Sequence, residues 1–185
     1  MGLDMYLHKR TYVKNWNHTP KGSEYQITIT RGGKEVAKTE IDPDNIIYTI
    51  QEAGYWRKAN AIHRWFVENV QDGEDDCKQY CVSVEKLKQL LDTVNQVLAA
   101  SELVDGTVVN GYTFGKDGNK TPITEAGKVI KDPSTAQRLL PTQTGFFFGS
   151  TEYDQWYIHD LQHTKQIIED ALQDPSGEYE YGSSW

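Results

Sequence analysis

The sequence predicts an α+β fold: a mixed, mainly antiparallel sheet packed against two or three helices, with a long irregular insertion. Three observations carry that prediction. Residues 3–8 alternate apolar and polar, later windows repeat apolar residues every three to four positions, and a Gly-, Thr-, Asn- and Lys-rich stretch at 104–135 keeps no period. A chain of 185 residues has the size of a single domain and can bury roughly two thirds of its unfolded surface.

Taken in order, the first strand sets Leu3, Met5 and Leu7 on one side and Asp4, Tyr6 and His8 on the other, the period of two of a half-buried strand. Residues 26–30 read as a second strand, and Arg31-Gly32-Gly33-Lys34 as a hairpin turn into 35–41. Beyond the punctuation Asp42-Pro43-Asp44-Asn45, residues 46–53 fit a strand or a short helix equally. A helix is predicted over 55–70, which places Trp56, Asn60, His63, Val67 and Val70 in one stripe and Tyr55, Ala59, Ile62 and Phe66 in the next. The acidic run Asp72-Gly73-Glu74-Asp75-Asp76 ends it as a loop, and 80–82 reads as a brief strand. Ser83 then caps a helix over 84–100 with Leu87, Leu90, Leu91, Val94 and Leu98 as its apolar stripe. The insertion holds at most a hairpin. Phe146-Phe147-Phe148 reads as a buried strand, and Gly149 leads into a last helix over 151–173 that buries Tyr153, Tyr157, Leu161, Thr164, Ile168 and Leu172. The tail at 177–185 alternates acid and aromatic, so it returns as an edge strand or stays extended.

Composition narrows the function. No apolar run approaches the ~20 residues that span a bilayer, and no export signal opens the chain, so no membrane partner is expected. Cys77 and Cys81 are too few for a disulfide framework and read as reduced thiols. With 19 Lys+Arg against 27 Asp+Glu, the net charge of −8 disfavours direct nucleic-acid binding, which needs a concentrated positive surface. The same charge admits an acidic face, Asp72, Glu74, Asp75 and Asp76 among others, that docks on another protein or imitates the phosphates of DNA. No cofactor is implied. Asp4 with His8, or His159 with His163, falls short of the three or four ligands of a metal site, and no metal is assigned. Homo-oligomerisation stays open.

Four segments carry a resemblance: Met1-Gly2-Leu3-Asp4-Met5-Tyr6-Leu7, Gly54-Tyr55-Trp56-Arg57-Lys58-Ala59-Asn60, Thr144-Gly145-Phe146-Phe147-Phe148-Gly149-Ser150-Thr151-Glu152-Tyr153, and Ser183-Ser184-Trp185. Together they resemble an uncharacterised family of bacteriophage and prophage proteins. The resemblance implies a setting, the cytoplasm of a bacterial host cell, where small accessory proteins act on host defence or metabolism. It implies no chemistry of its own.

Three groups of residues offer chemistry. Gly149-Ser150-Thr151, at the expected start of the last helix, is suited to a phosphate, because a helix N-terminus presents unpaired N–H groups and about half a positive charge; a simple helix cap is the alternative use of Ser150 or Thr151. On the first helix, Asn60 and His63 share the apolar stripe and Arg57 lies one turn earlier, which fits either a cleft wall or an internal hydrogen-bond network. Asp4, on the polar side of the first strand, could pair with His63 as acid and base of a small hydrolase. Trp56 and Tyr153 are flat faces for stacking a base. The reading these groups favour is a non-enzymatic binder of a small anionic ligand, with Trp56, Arg57, Asn60, His63, Gly149, Ser150, Thr151 and Tyr153 lining the site. A host nucleotide signal, captured as a counter-defence sponge, fits that ligand class.

Overall fold

The computed structural model describes residues 2–114, 119–145 and 148–185. Its centre is a four-stranded antiparallel sheet of β1 (Asp4–Tyr12), β4 (Tyr48–Arg57), β5 (Tyr80–Val82) and β8 (Glu178–Ser184), in the order β4-β1-β8-β5. Leu3, Met5 and Leu7 at its start are fully buried. Asp4, Tyr6 and His8, on the other side, keep part of their surface in solvent, so that polar row carries no burial cost that a function would have to explain. Between β1 and β4 the only regular hairpin is a two-residue pair, β2 (Thr30–Arg31) with β3 (Lys34–Glu35), around the expected Gly32-Gly33 turn. It is shorter than the sequence predicts.

The helices α1 (Asn60–Asn69), α2 (Val84–Ala100), α3 (Ser134–Leu139) and α4 (Gln155–Ala171) complete the α+β architecture. In α2, Ser83 Oγ accepts from the Lys86 amide at 3.2 Å as an N-cap, and Leu87, Leu90, Val94 and Val97 are buried. Leu91 and Leu98 are only partly so. Among the described residues no helix is long and apolar enough to cross a membrane.

Several expectations need correction. Residues 55–57 are strand, not helix: Tyr55 and Trp56 pair with Tyr6 and Met5 across β4 and β1, and aromatic residues suit a pleated surface. Gly54 is interior to that strand because α4 crosses it closely. A Cβ there would sit 2.3 Å from Ile167 Cγ2. The last helix begins at Gln155 rather than 151, since residues 153–154 instead pair with the second strand of the hairpin described next, through Ile130 N donating to Tyr153 O at 2.9 Å and a bridge between Val129 and Asp154. The 104–135 stretch holds that hairpin, β6 (Leu103–Phe114) with β7 (Lys120–Ile130), followed by α3; it is regular along most of its length. The C-terminal strand β8 lies inside the sheet between β1 and β5, not at its edge, and buries Tyr179 and Tyr181. Phe148 is buried outside any strand, and the expected strand at Phe146 and Phe147 lies outside the described residues.

Candidate functional site

Sequence-predicted residues gather at the corner between β4 and α1, where the backbone is unusual. Lys58 has φ 61°, the left-handed region, in which a side chain costs roughly 1–2 kcal/mol. Contacts on three sides hold it there. Its amide donates to Leu3 O at 2.8 Å, its carbonyl accepts from the Asn60 amide at 2.8 Å, and Gly149 lies against its side chain. Gly149 is itself at φ 94°, and a Cβ added to it would come within 3.1 Å of Lys58 Cβ. Strain of this kind persists only where the surroundings over-determine it, and it collects at binding sites.

Asn60 brings the 143–150 segment to this corner. Its Nδ2 donates to Phe148 O at 3.1 Å and Ser150 O at 2.7 Å, while its Oδ1 accepts from the Gln143 amide at 3.0 Å. Both donor hydrogens and an acceptor are thereby engaged, so Asn60 shapes the site and has little left for a ligand.

Between this corner, residues 109–112 of the hairpin and α4 lies a cleft of about 890 Å³, within the size range of small-molecule sites. Arg57 and Lys58 enter it from the corner; Glu152, Asp154 and Asp160 enter from α4 and its approach, with Trp156 and Tyr157 as aromatic surface. Arg57 Nη1 stands 3.6 Å from Asp4 Oδ1, and Asp4 also accepts from the Tyr55 hydroxyl. Lys58 makes no ion pair among the described residues. The cleft is therefore two-signed: a free cation at one element, carboxyls at another.

Those carboxyls are not equivalent. Asp154 is 1% exposed; its Oδ1 caps α4 by accepting from the amides of Trp156 at 2.8 Å and Tyr157 at 3.2 Å, and its Oδ2 has no partner. Asp160 keeps about a third of its side chain in solvent. Even so, burial pushes its carboxyl up to about 7, with the charge of Asp154 adding to the rise and His163 opposing it.

Of the predicted binding residues, Arg57, Asn60, Gly149 and Ser150 line the cleft, and Trp56, His63, Thr151 and Tyr153 do not. Trp56 is a core residue whose indole N–H donates to Thr164 Oγ1 at 2.9 Å. The Thr151 carbonyl accepts from Thr142 Oγ1 at 3.0 Å, and the Tyr153 hydroxyl accepts from the Thr142 amide at 3.2 Å. Ser150 Oγ accepts from the Glu152 amide at 3.1 Å. Gly149-Ser150-Thr151 is thus not a helix N-terminus; that position belongs to Asp154, whose carboxylate already takes the first free amides of α4.

No family model, curated protein or solved structure matches the chain. Functional assignment therefore rests on the cleft and on what the remaining polar groups are doing. His63 is fully buried, with Nδ1 at 2.8 Å from the Tyr181 hydroxyl and Nε2 at 2.9 Å from Asp75 Oδ2. Asp75 Oδ1 also accepts from the Trp185 indole at 3.0 Å. His63 and Asp4 consequently have separate partners, and the acid–base pair of a hydrolase is not assembled. The network instead ties the acidic loop to α1 and to the C-terminus. Asp76 is likewise engaged, by Lys78 Nζ at 2.6 Å and the Tyr80 hydroxyl at 3.0 Å, so two of the four named acids already have partners within the chain. Among the described residues no group of three or more His, Cys, Asp or Glu side chains is placed to hold a metal ion.

Lys58, Asp154, Trp156 and Asp160 were missing from the sequence-predicted site. Asp154 could have been found, because Asp caps helices as readily as Ser or Thr; Asp160 carries no such signal, since what sets it apart is its burial in the fold.

Proposed function

We propose that the protein binds a small phosphorylated ligand of the nucleotide class in this cleft, and that it acts by holding the ligand rather than by transforming it. The observation that carries this reading is Lys58. Among the described residues, an unpaired cation is fixed beside Arg57 by a backbone conformation that its own side chain disfavours, with Gly149 packed against it. Lys and Arg together suit an anion: one is a point charge and the other a planar fork. Trp156, 52% exposed and in the cleft, offers a flat face to a base. It takes the place first given to Trp56 and Tyr153.

In the phage setting that the resemblance implies, capture of a host nucleotide would deprive a defence system of its messenger. The test is calorimetric titration of the full chain against cyclic and linear nucleotides, together with mass spectrometry of small molecules released from the purified protein. Heat or a co-purifying nucleotide is the expected result. Silence in both measurements removes the reading.

A further inference from the structure

The central sheet is open along half of one edge. β4 has β1 on one side and no strand on the other, so its backbone groups point alternately at a partner and away from one. Val13 N donates to Ile47 O at 2.9 Å, which turns the amides and carbonyls of Thr49 and Gln51 toward β1 and those of Tyr48, Ile50 and Glu52 outward. Beyond the shift in register at Leu7 and His8, Lys58 N donates to Leu3 O at 2.8 Å, and Tyr55 is the residue turned outward. Its carbonyl is taken by His163 Nε2 at 2.9 Å. α4 thus closes the edge near Arg57 and leaves residues 48–52 uncovered. Among the described residues, no backbone hydrogen bond reaches the outward groups of Tyr48, Ile50 or Glu52. Free edges are ordinarily blunted by lysine, proline or a bulge. Here Tyr48-Thr49-Ile50-Gln51 carries no charge and no proline, the register shifts only after Glu52, and Ile50 is 64% exposed.

We infer that this edge pairs with the same edge of a second copy of the chain, antiparallel about a two-fold axis at Ile50, so that the two central sheets run on as one. The occupant is a second copy because the open segment is complementary to itself. Rotation about Ile50 sets Ile50 against Ile50, Tyr48 against Glu52 and Thr49 against Gln51. Outward groups then meet outward groups in about six backbone hydrogen bonds, and the most exposed apolar side chain of the segment meets its own copy. Glu52, the one charge in the segment, meets Tyr48 rather than another Glu52. The Arg10 guanidinium lies 4.2 Å from the centre of that tyrosine ring, so the carboxylate arrives on the side of a cation. The pairing uses all of the uncovered edge and stops where α4 closes it. A segment this short is far below the roughly 20–30 residues a side of a standard interface. Each chain also carries a net charge of −8, so the dimer is weak and gains strength as salt screens that repulsion.

The experiment is sedimentation equilibrium of the full chain up to about 1 mM, with hydrogen exchange across the same range of concentration. The mass should rise from one chain toward two, more readily at high salt. Deuterium uptake in residues 48–52 should fall as the dimer fills, while uptake in the equally exposed hairpin at 30–35 should not change. Ile50→Lys brings two like charges together at the axis and should weaken the dimer at least about tenfold. Ile50→Pro removes an N–H that the monomer leaves unused, a change that edge strands tolerate, and should weaken it as well. If the proline disturbs β4, the lysine variant still decides, because its side chain starts 64% exposed. A single chain at every concentration overturns the inference. So does a dimer whose exchange at 48–52 is unaltered, or one that folded Ile50→Lys leaves as strong as the parent.

Discussion

Replacing Lys58 by glycine should loosen the ligand without loosening the fold. At φ 61° the lysine side chain costs roughly 1–2 kcal/mol relative to a residue without Cβ. Glycine relieves that strain but has more freedom to lose on folding, a penalty of about 0.5–1 kcal/mol. The side chain is exposed and buries little, so the difference is the main term. Lys58→Gly should lie between unchanged and about 1.5 kcal/mol more stable, read from the urea midpoint at constant slope. Affinity for a phosphorylated ligand should fall about tenfold or more, since a hydrogen bond to a charged group contributes roughly 1.5–3 kcal/mol. Gly149→Ala is the mirror experiment: a side chain at φ 94° that also meets Lys58 Cβ at 3.1 Å should destabilise by about 2 kcal/mol. If Lys58→Gly unfolds more than about 1 kcal/mol more easily, or binds as well as the parent, the argument from strain is refuted.

Other perturbations have equally definite outcomes. Asp160 holds its proton up to about 7 in the folded chain and releases it near the usual 3.8 when unfolded; the folded state binds more protons between those values, so this group makes stability fall as pH rises from about 4 to 7. The charge of Asp154 strengthens the effect and His163 weakens it, with His159 3.9 Å away on the exposed side. Asp160→Asn should therefore be more stable than the parent at pH 8, with the gap closing near pH 4 in parallel urea titrations; a gap that widens toward acid would reverse the assignment. Asp174 acts the other way, because its hydrogen bond from Lys9 at 2.5 Å holds it near 2, and its contribution disappears only as pH falls from about 4 toward 2. His63→Ala should cost about 3 kcal/mol by leaving a cavity and the Tyr181 hydroxyl unpaired, visible as a melting temperature lower by roughly 6–12 °C. Ligand affinity measured well below that melting point should be unchanged, and a selective loss of binding would return His63 to the site. Gly54→Ala should cost about 2 kcal/mol through its clash with Ile167; the double variant with Ile167→Ala should lose less than the sum of the two single losses.

What the sequence made legible divides along local and non-local lines. In α2 the period, the Ser83 cap and the fold agree, because one face meets the core and the signal is contained in the helix itself. The alternation of residues 3–8 places Leu3, Met5 and Leu7 in the core for the same reason. Trp56 and Asn60 misled, since two core residues four apart imitate a helical stripe when one closes a strand and the other opens a helix. Nothing between residues 48 and 57 announces that this strand will pair with β1, some forty residues earlier. The interior place of β8 is equally a property of the whole sheet. At the site, Arg57, Asn60, Gly149 and Ser150 could be named because their residue types are restrictive, whereas Thr151 and Asp154 are interchangeable as caps until the bridge from Val129 to Asp154 decides between them. Asp160 becomes chemically distinctive only in three dimensions, where burial and a second carboxyl act on it.

The most direct test of a phosphate-holding cleft is to denature the purified protein and weigh what it releases, alongside the same preparation of Lys58→Gly. A nucleotide mass from the parent, strongly diminished from the variant, is the predicted result. Equal amounts from both chains would place the ligand elsewhere, and no released nucleotide together with no heat on titration would contradict the account.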